Sequence, residues 1–211
     1  MNLVEPKIEE YCITHSSRPS SLAQELQDYT RKNIHGSQML IGEMEASVLK
    51  SLIRLGRLET VVEFGTYTGY SALCMAESLP SNGRVFTIDV NKETTSLARE
   101  FWDRSPHGSK ITQILKPGLE AMKELEEKYD LIFNDADKDN YTNYLKWSLE
   151  HLSDKGIIVV DNTLWSGKVL ESDGDKRTEA IIKHNTFAAA LEGYVKTLLP
   201  IRDGMYLIQK G

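Results

Sequence analysis

Between residues 60 and 160 the chain alternates short apolar runs with amphipathic stretches, and this alternation limits the fold more than any other feature. The runs are Thr60–Phe64, Arg84–Ile88, Ile111–Leu115, Tyr129–Phe133 and Gly156–Val160. The stretches between them, Ser71–Leu79, Lys92–Trp102, Leu119–Lys128 and Tyr141–Leu152, carry apolar residues at helical spacing. Strands this short and this apolar, separated by helices, predict a parallel sheet covered on both faces. A further helix over Glu179–Leu191 precedes Val195–Leu199 and Met205–Gln209, which flank an Asp203-Gly204 turn signal. The expectation is therefore an α/β fold with an antiparallel ending.

Residues 1–57 read as helical. Leu22, Leu26 and Tyr29 mark one helix, with Ser20 or Ser21 as its N-cap, and Val48 to Leu55 mark another that ends near Gly56. No linker or repeat divides the chain, so residues 1–211 read as one domain, with 1–57 covering the substrate side. Composition narrows the function classes. The net charge of −6 weighs against a phosphate-backbone binder. Cys12 and Cys74 stand far apart, which predicts two buried thiols and no disulfide framework. The start, Met1 to Ser17, has no apolar segment of signal-peptide type, and no run approaches a membrane span. A cytoplasmic protein is expected. The five histidines form no metal-spaced pair and read as structural or surface residues, and neither Ser71 nor Ser166 sits in a nucleophile elbow.

An open α/β sheet binds ligands beyond the carboxyl ends of its strands. The residues at those ends are Glu63, Asp89, Asn134 with Asp135, and Asp161 with Asn162. Carboxylates gathered on one rim repel one another unless a cation lies among them. The first strand leads into Glu63-Phe64-Gly65-Thr66-Tyr67-Thr68-Gly69-Tyr70-Ser71, whose glycines allow a tight turn before a helix N-terminus. The same spacing also fits an ordinary β–α turn. It is not the GxGxxG of a dinucleotide site, so it favours S-adenosylmethionine over a nicotinamide cofactor. Asp89, ending the second strand, suits the ribose hydroxyls of either. The stretch Asn134-Asp135-Ala136-Asp137-Lys138-Asp139-Asn140-Tyr141, followed by Asp161-Asn162, offers hard oxygen ligands for Mg²⁺ or Ca²⁺ rather than zinc. Asp137 and Asp139 also read as acids favoured at a helix N-terminus. Glu171–Asp175 reads as a flexible acid-rich loop without an assignable ligand.

Four stretches together resemble the caffeoyl-CoA and catechol O-methyltransferase family, in a bacterial form. They are Glu-Phe-Gly-Thr-Tyr-Thr-Gly-Tyr-Ser, Asp-Ala-Asp-Lys-Asp-Asn-Tyr, Asp-Asn-Thr-Leu-Trp-Ser-Gly-Lys-Val and Leu-Pro-Ile-Arg-Asp-Gly, in order from about Ile34 onward. The resemblance implies a class I methyltransferase Rossmann-like fold: a seven-stranded, mostly parallel sheet with one antiparallel strand and helices on both faces. It implies that Asp135, Asp161 and Asn162 bind a divalent cation, Mg²⁺ first and Mn²⁺ or Ca²⁺ next. Lys138 would be the catalytic lysine. Met39, Ile41, Glu63, Gly65, Thr66, Tyr67, Ser71, Asp89, Gly118, Leu119 and Asp135 would bind S-adenosylmethionine. Trp165 and Lys168 would border the acceptor, with Lys138 reaching it. The chain departs from the family at Gly118-Leu119-Glu120-Ala121, where a small residue is more usual next to the glycine.

The implied reaction is metal-dependent methylation of a small acceptor with vicinal hydroxyls, such as a catechol. Three protein oxygens leave about three of six octahedral positions open for those hydroxyls and a water. A homodimer is the family's habit. The alternatives at this stage are a tRNA hydroxyuridine methyltransferase of the same family, a nicotinamide-dependent oxidoreductase on a similar sheet, and a non-catalytic binding module.

Overall fold

The computed structural model describes residues 4–171 and 174–211, so Ser172 and Asp173 of the acid-rich loop lie outside the described residues, as do the first three of the helical N-terminal region. Three helices open the chain: α1 (Pro6–Thr14), α2 (Ser21–Asn33) and α3 (Glu43–Gly56). Ser20 caps α2, its side chain accepting the Ala23 N–H at 3.1 Å. Then come β1 (Thr60–Phe64), α4 (Tyr70–Ser78), β2 (Arg84–Asp89), α5 (Lys92–Trp102), β3 (Ile111–Leu115), α6 (Gly118–Ala121) and β4 (Tyr129–Asn134). The chain ends with α7 (Tyr141–His151), β5 (Leu152–Val160), α8 (Lys176–Ala189), β6 (Tyr194–Leu199) and β7 (Met205–Lys210).

The strands form one seven-stranded sheet in the order β3-β2-β1-β4-β5-β7-β6. Only β7 runs against the others, paired antiparallel with β5 and with β6. The order reverses direction at β1, where β2 lies to one side and β4 to the other. That reversal opens a crevice at the strand carboxyl ends, and the site lies there.

Strand alternation divides the core. Val61, Leu131, Phe133, Ile157 and Val159 face α2, α3, α4 and α5. Val62, Phe64, Ile132, Ile158 and Val160 face α7 and α8. Two points differ from the sequence expectation. The predicted helix over 119–128 closes after Ala121, because i→i+3 bonds continue from Lys123 to Glu120 and Glu124 to Ala121. The Trp147 indole then takes the Met122 carbonyl at 3.1 Å, and Leu125 turns into the core. Of the two thiols, both free, Cys74 is buried but Cys12 only half so.

Candidate active site

The loop after β1 passes the loop after β4 backbone to backbone. Gly65 has φ +103°, and a Cβ there would sit 2.3 Å from the Asp135 carbonyl oxygen. The Asp135 N–H donates to Phe64 O at 2.9 Å, locking the two strand ends together. Asp89 fixes the same loop from β2. Its Oδ2 accepts the N–H groups of Thr66 (3.0 Å) and Tyr67 (2.8 Å), and its Oδ1 accepts that of Asn91 at 2.9 Å.

A cleft of about 1100 Å³ opens over these strand ends. Met39, Gly65, Tyr67, Asp89, Gly118, Asp135, Lys138, Asp161, Asn162 and Trp165 lie on its wall. Ile41, Glu63, Thr66 and Ser71 are buried behind that wall, while Leu119 and Lys168 are exposed and lie off it. Glu63 is the clearest departure from the expected rim of acids. Alternation along β1 puts it on the Val61 face, beneath α4, one residue short of the strand end. Thr87 Oγ1 donates to its Oε2 at 2.5 Å, and Thr87 in turn shares a 2.6 Å bond with Thr66. Burial pushes the Glu63 carboxyl up to about 8; Asp135 and Asp89 add to this, against the hydroxyls of Ser71 and Thr87.

The second cluster centres on Lys138. Its Nζ lies 3.0 Å from Asp135 Oδ1, 2.6 Å from Asn162 Oδ1 and 2.5 Å from the Tyr141 hydroxyl. Asn162 follows β5 with φ +55°, a conformation Asn tolerates better than most residues. Asp161 is 1% exposed, and its Oδ1 accepts the Asn162 N–H at 2.8 Å. Burial drives the Asp161 carboxyl well above the usual carboxylate range, helped by Asp135 and Glu45. Among the described residues no group of three or more His, Cys, Asp or Glu side chains is placed to hold a metal. The oxygen set here is two carboxylates and an amide. It fits a cation, because a side-chain ammonium already sits between Asp135 and Asn162.

A model of the O-methyltransferase family matches residues 13–211. This chain belongs to that family. It is a class I, S-adenosylmethionine-dependent O-methyltransferase. The methyltransferase is 33% identical over 205 residues to caffeoyl-CoA O-methyltransferase 1 of Arabidopsis thaliana, covering 91% of this chain and 78% of that protein. It is 32% identical over 207 residues to catechol O-methyltransferase domain-containing protein 1 of Mus musculus, covering 95% and 79%. Its fold matches the SAH-bound methyltransferase PaMTH1 of Podospora anserina with a TM-score of 0.88 and 25% identity, over 97% of this chain and 94% of that one. The family assignment displaces the oxidoreductase and binding-module readings.

Two residues of the methyltransferase's site, Tyr141 and Arg202, carried no chemical role in the sequence reading, and a third, Asp203, stood there only as a turn signal. Tyr141, expected only as a helix start, places its buried hydroxyl against Lys138. Arg202 donates to Leu40 O at 2.7 Å, Gln38 O at 3.2 Å and the buried Glu45 Oε1 at 3.2 Å. It thereby ties the segment carrying Met39 to the β6–β7 turn. Asp203 accepts the Leu164 N–H on its carbonyl at 2.8 Å and the Ser166 N–H on its carboxylate, holding the Trp165 turn. The signal for the last two was the Leu-Pro-Ile-Arg-Asp-Gly stretch, noted as a motif without its contacts.

Proposed function

We propose that this methyltransferase is divalent-metal dependent and methylates a hydroxyl of a small catechol-like acceptor. The observation that carries the reading is the Lys138 ammonium held by Asp135 and Asn162, beside the buried carboxyl of Asp161. We assign Asp135, Asp161 and Asn162 as the cation's ligands. A divalent cation held there supplies Lewis-acid stabilisation of a deprotonated acceptor oxygen. S-adenosylmethionine supplies a methyl group that is already electrophilic on its sulfonium.

The chain's own residues then have separable tasks. Gly65 lets the backbone approach the cofactor, and Asp89 offers its carboxylate to the ribose hydroxyls while holding the loop. Met39, Tyr67 and Gly118 complete that wall, and Ile41, Glu63, Thr66 and Ser71 support it from behind. Lys138, having released its extra proton to solvent, takes the acceptor's hydroxyl proton on the neutral Nζ amine and returns to the ammonium form. Trp165 and Lys168 border the acceptor opening, and Leu119 stays with Gly118 at the outer edge of the cofactor side. Holding both reactants in one cleft contributes much of the acceleration. The reading includes a homodimer and a cytoplasmic setting. Among the described residues no helix is long and apolar enough to cross a membrane.

The test is methyl transfer from labelled S-adenosylmethionine to a panel of catechols, with Mg²⁺ and with chelator. Turnover that vanishes in chelator supports the cation and the acceptor class together. Undiminished turnover in chelator sinks the metal assignment. Cofactor binding without turnover on any catechol moves the acceptor elsewhere, hydroxyuridine in tRNA being the next to try.

A further inference from the structure

We propose that Tyr141 is a positioning residue, whose hydroxyl fixes the Lys138 Nζ at the Asp135–Asn162 side of the cleft. The inference rests on the reading of Lys138 as the base. A lysine is a point charge on a four-carbon stem, with about 2 kcal/mol of rotamer entropy to lose. Its ion pair with Asp135 at 3.0 Å is only weakly directional. A base must lie within hydrogen-bond reach of the proton it takes, so something has to define the end of that stem.

Tyr141 is built to do this. It is the first residue of α7 and 0% exposed. Its hydroxyl donates its one proton to the Asp161 carbonyl oxygen at 3.1 Å, which leaves only acceptor capacity toward Lys138. The Lys138 Nζ meets that oxygen at 2.5 Å. The ring is fully buried and packs in an edge contact with His184, with centroids 5.6 Å apart and planes at 72°. His184 is itself buried and packs edge-on against Tyr206. One rigid phenol therefore spans two strand ends, reading the end of β5 through Asp161 and setting the lysine that follows β4. A phenylalanine would keep the ring packing and lose both bonds.

The experiment uses Tyr141→Phe and Lys138→Arg in the full chain. Tyr141→Phe should lower kcat about tenfold while leaving the KM for S-adenosylmethionine and the affinity for S-adenosylhomocysteine within twofold. In spectra selective for lysine ammonium groups, the slowly exchanging signal that Lys138→Met identifies as Lys138 should broaden or vanish in Tyr141→Phe. Lys138→Arg keeps the charge but cannot act as a base, and should lose at least as much kcat as Tyr141→Phe; wild-type turnover there sinks the base assignment. An unchanged kcat or an unchanged ammonium signal in Tyr141→Phe overturns the proposal. So does a Lys138 ammonium signal in the parent protein that is rapidly exchanging and motionally averaged, a result that holds even if the phenylalanine variant fails to fold. Wild-type turnover in Lys138→Met sinks the base assignment instead, and the ammonium signal still decides whether Tyr141 anchors the lysine.

Discussion

Gly65 and Asp135 share a contact that no side chain can enter, since a Cβ on residue 65 would lie 2.3 Å from the Asp135 carbonyl oxygen. The β1 loop belongs to the cofactor wall and Asp135 to the lysine cluster, so this contact sets the distance between the two halves of the site. Gly65→Ala meets both a positive φ and a backbone clash. Each costs of order 1–3 kcal/mol. The expected loss is about 2–6 kcal/mol, read as a fall in Tm of about 5–20 °C. Titration calorimetry should also show S-adenosylhomocysteine binding weakened at least tenfold. A variant with the parental Tm and affinity would show that the two loops can part freely.

Asp161→Asn separates stability from activity. The carboxyl is buried and repelled by Asp135 and Glu45, so neutralising it removes an unfavourable charge from the cation-free protein. Above neutral pH and in chelator, the variant should be as stable as the parent or more so. Metal affinity, measured by calorimetry with Mn²⁺, should fall at least tenfold, and turnover with it, while cofactor binding stays within twofold. Loss of stability in chelator would mean that the charge is compensated inside the fold.

Much of this arrangement was readable before any coordinates. Runs such as Val61-Val62 and Ile157–Val160, alternating with helical stretches, indicate strands buried on both faces, and that points to a parallel sheet and to the end at which it binds. Asp89, Asp135 and Asp161 follow because each ends such a run. Glu63 misled for a local reason: it also ends a charged-after-apolar step, but strand parity turns it beneath α4. Tyr141 stands only three residues from Lys138, but the Asp161 carbonyl that takes its hydroxyl proton comes from another strand end, and the partners of Arg202 lie far along the chain. Arg202 bonds Gln38 and Leu40 across more than 160 positions, and no local pattern records such a contact.

Glu63 gives the fold a pH dependence of known sign. Its carboxyl titrates near 8 in the folded protein against an ordinary value of 4.5. Below 4.5 both states hold the proton and the group costs nothing. Between 4.5 and about 8 the unfolded chain has lost the proton that the folded chain keeps, so stability falls as pH rises, by at most about 1.4 kcal/mol per pH unit. Above 8 the loss levels off. Glu63→Gln removes this pH dependence, and other titrations cancel in the comparison. Urea midpoints of the two proteins should diverge from pH 5 to pH 8, the parent falling relative to the variant. Parallel curves would mean that the carboxyl ionises in the fold as easily as in the unfolded chain.

Arg202 closes the site from the other side. Its guanidinium holds Gln38 and Leu40 by their carbonyls and neutralises Glu45, which is 0% exposed and has one oxygen without a hydrogen-bond partner. Arg202→Met breaks all three bonds and strands a buried carboxylate, a change that typically costs about 3–5 kcal/mol. Because the arginine is itself a third exposed, the lower part of that range is expected. The segment carrying Met39 should loosen with it, so cofactor affinity should fall several-fold more than in a surface control such as Arg84→Met. Adding Glu45→Leu removes the stranded charge. The double variant should regain most of the stability but not the cofactor affinity, because the carbonyls of Gln38 and Leu40 still lack their donor. Recovery of both would assign Arg202 to charge balance alone, and recovery of neither would place its main contribution in packing against the β6–β7 turn.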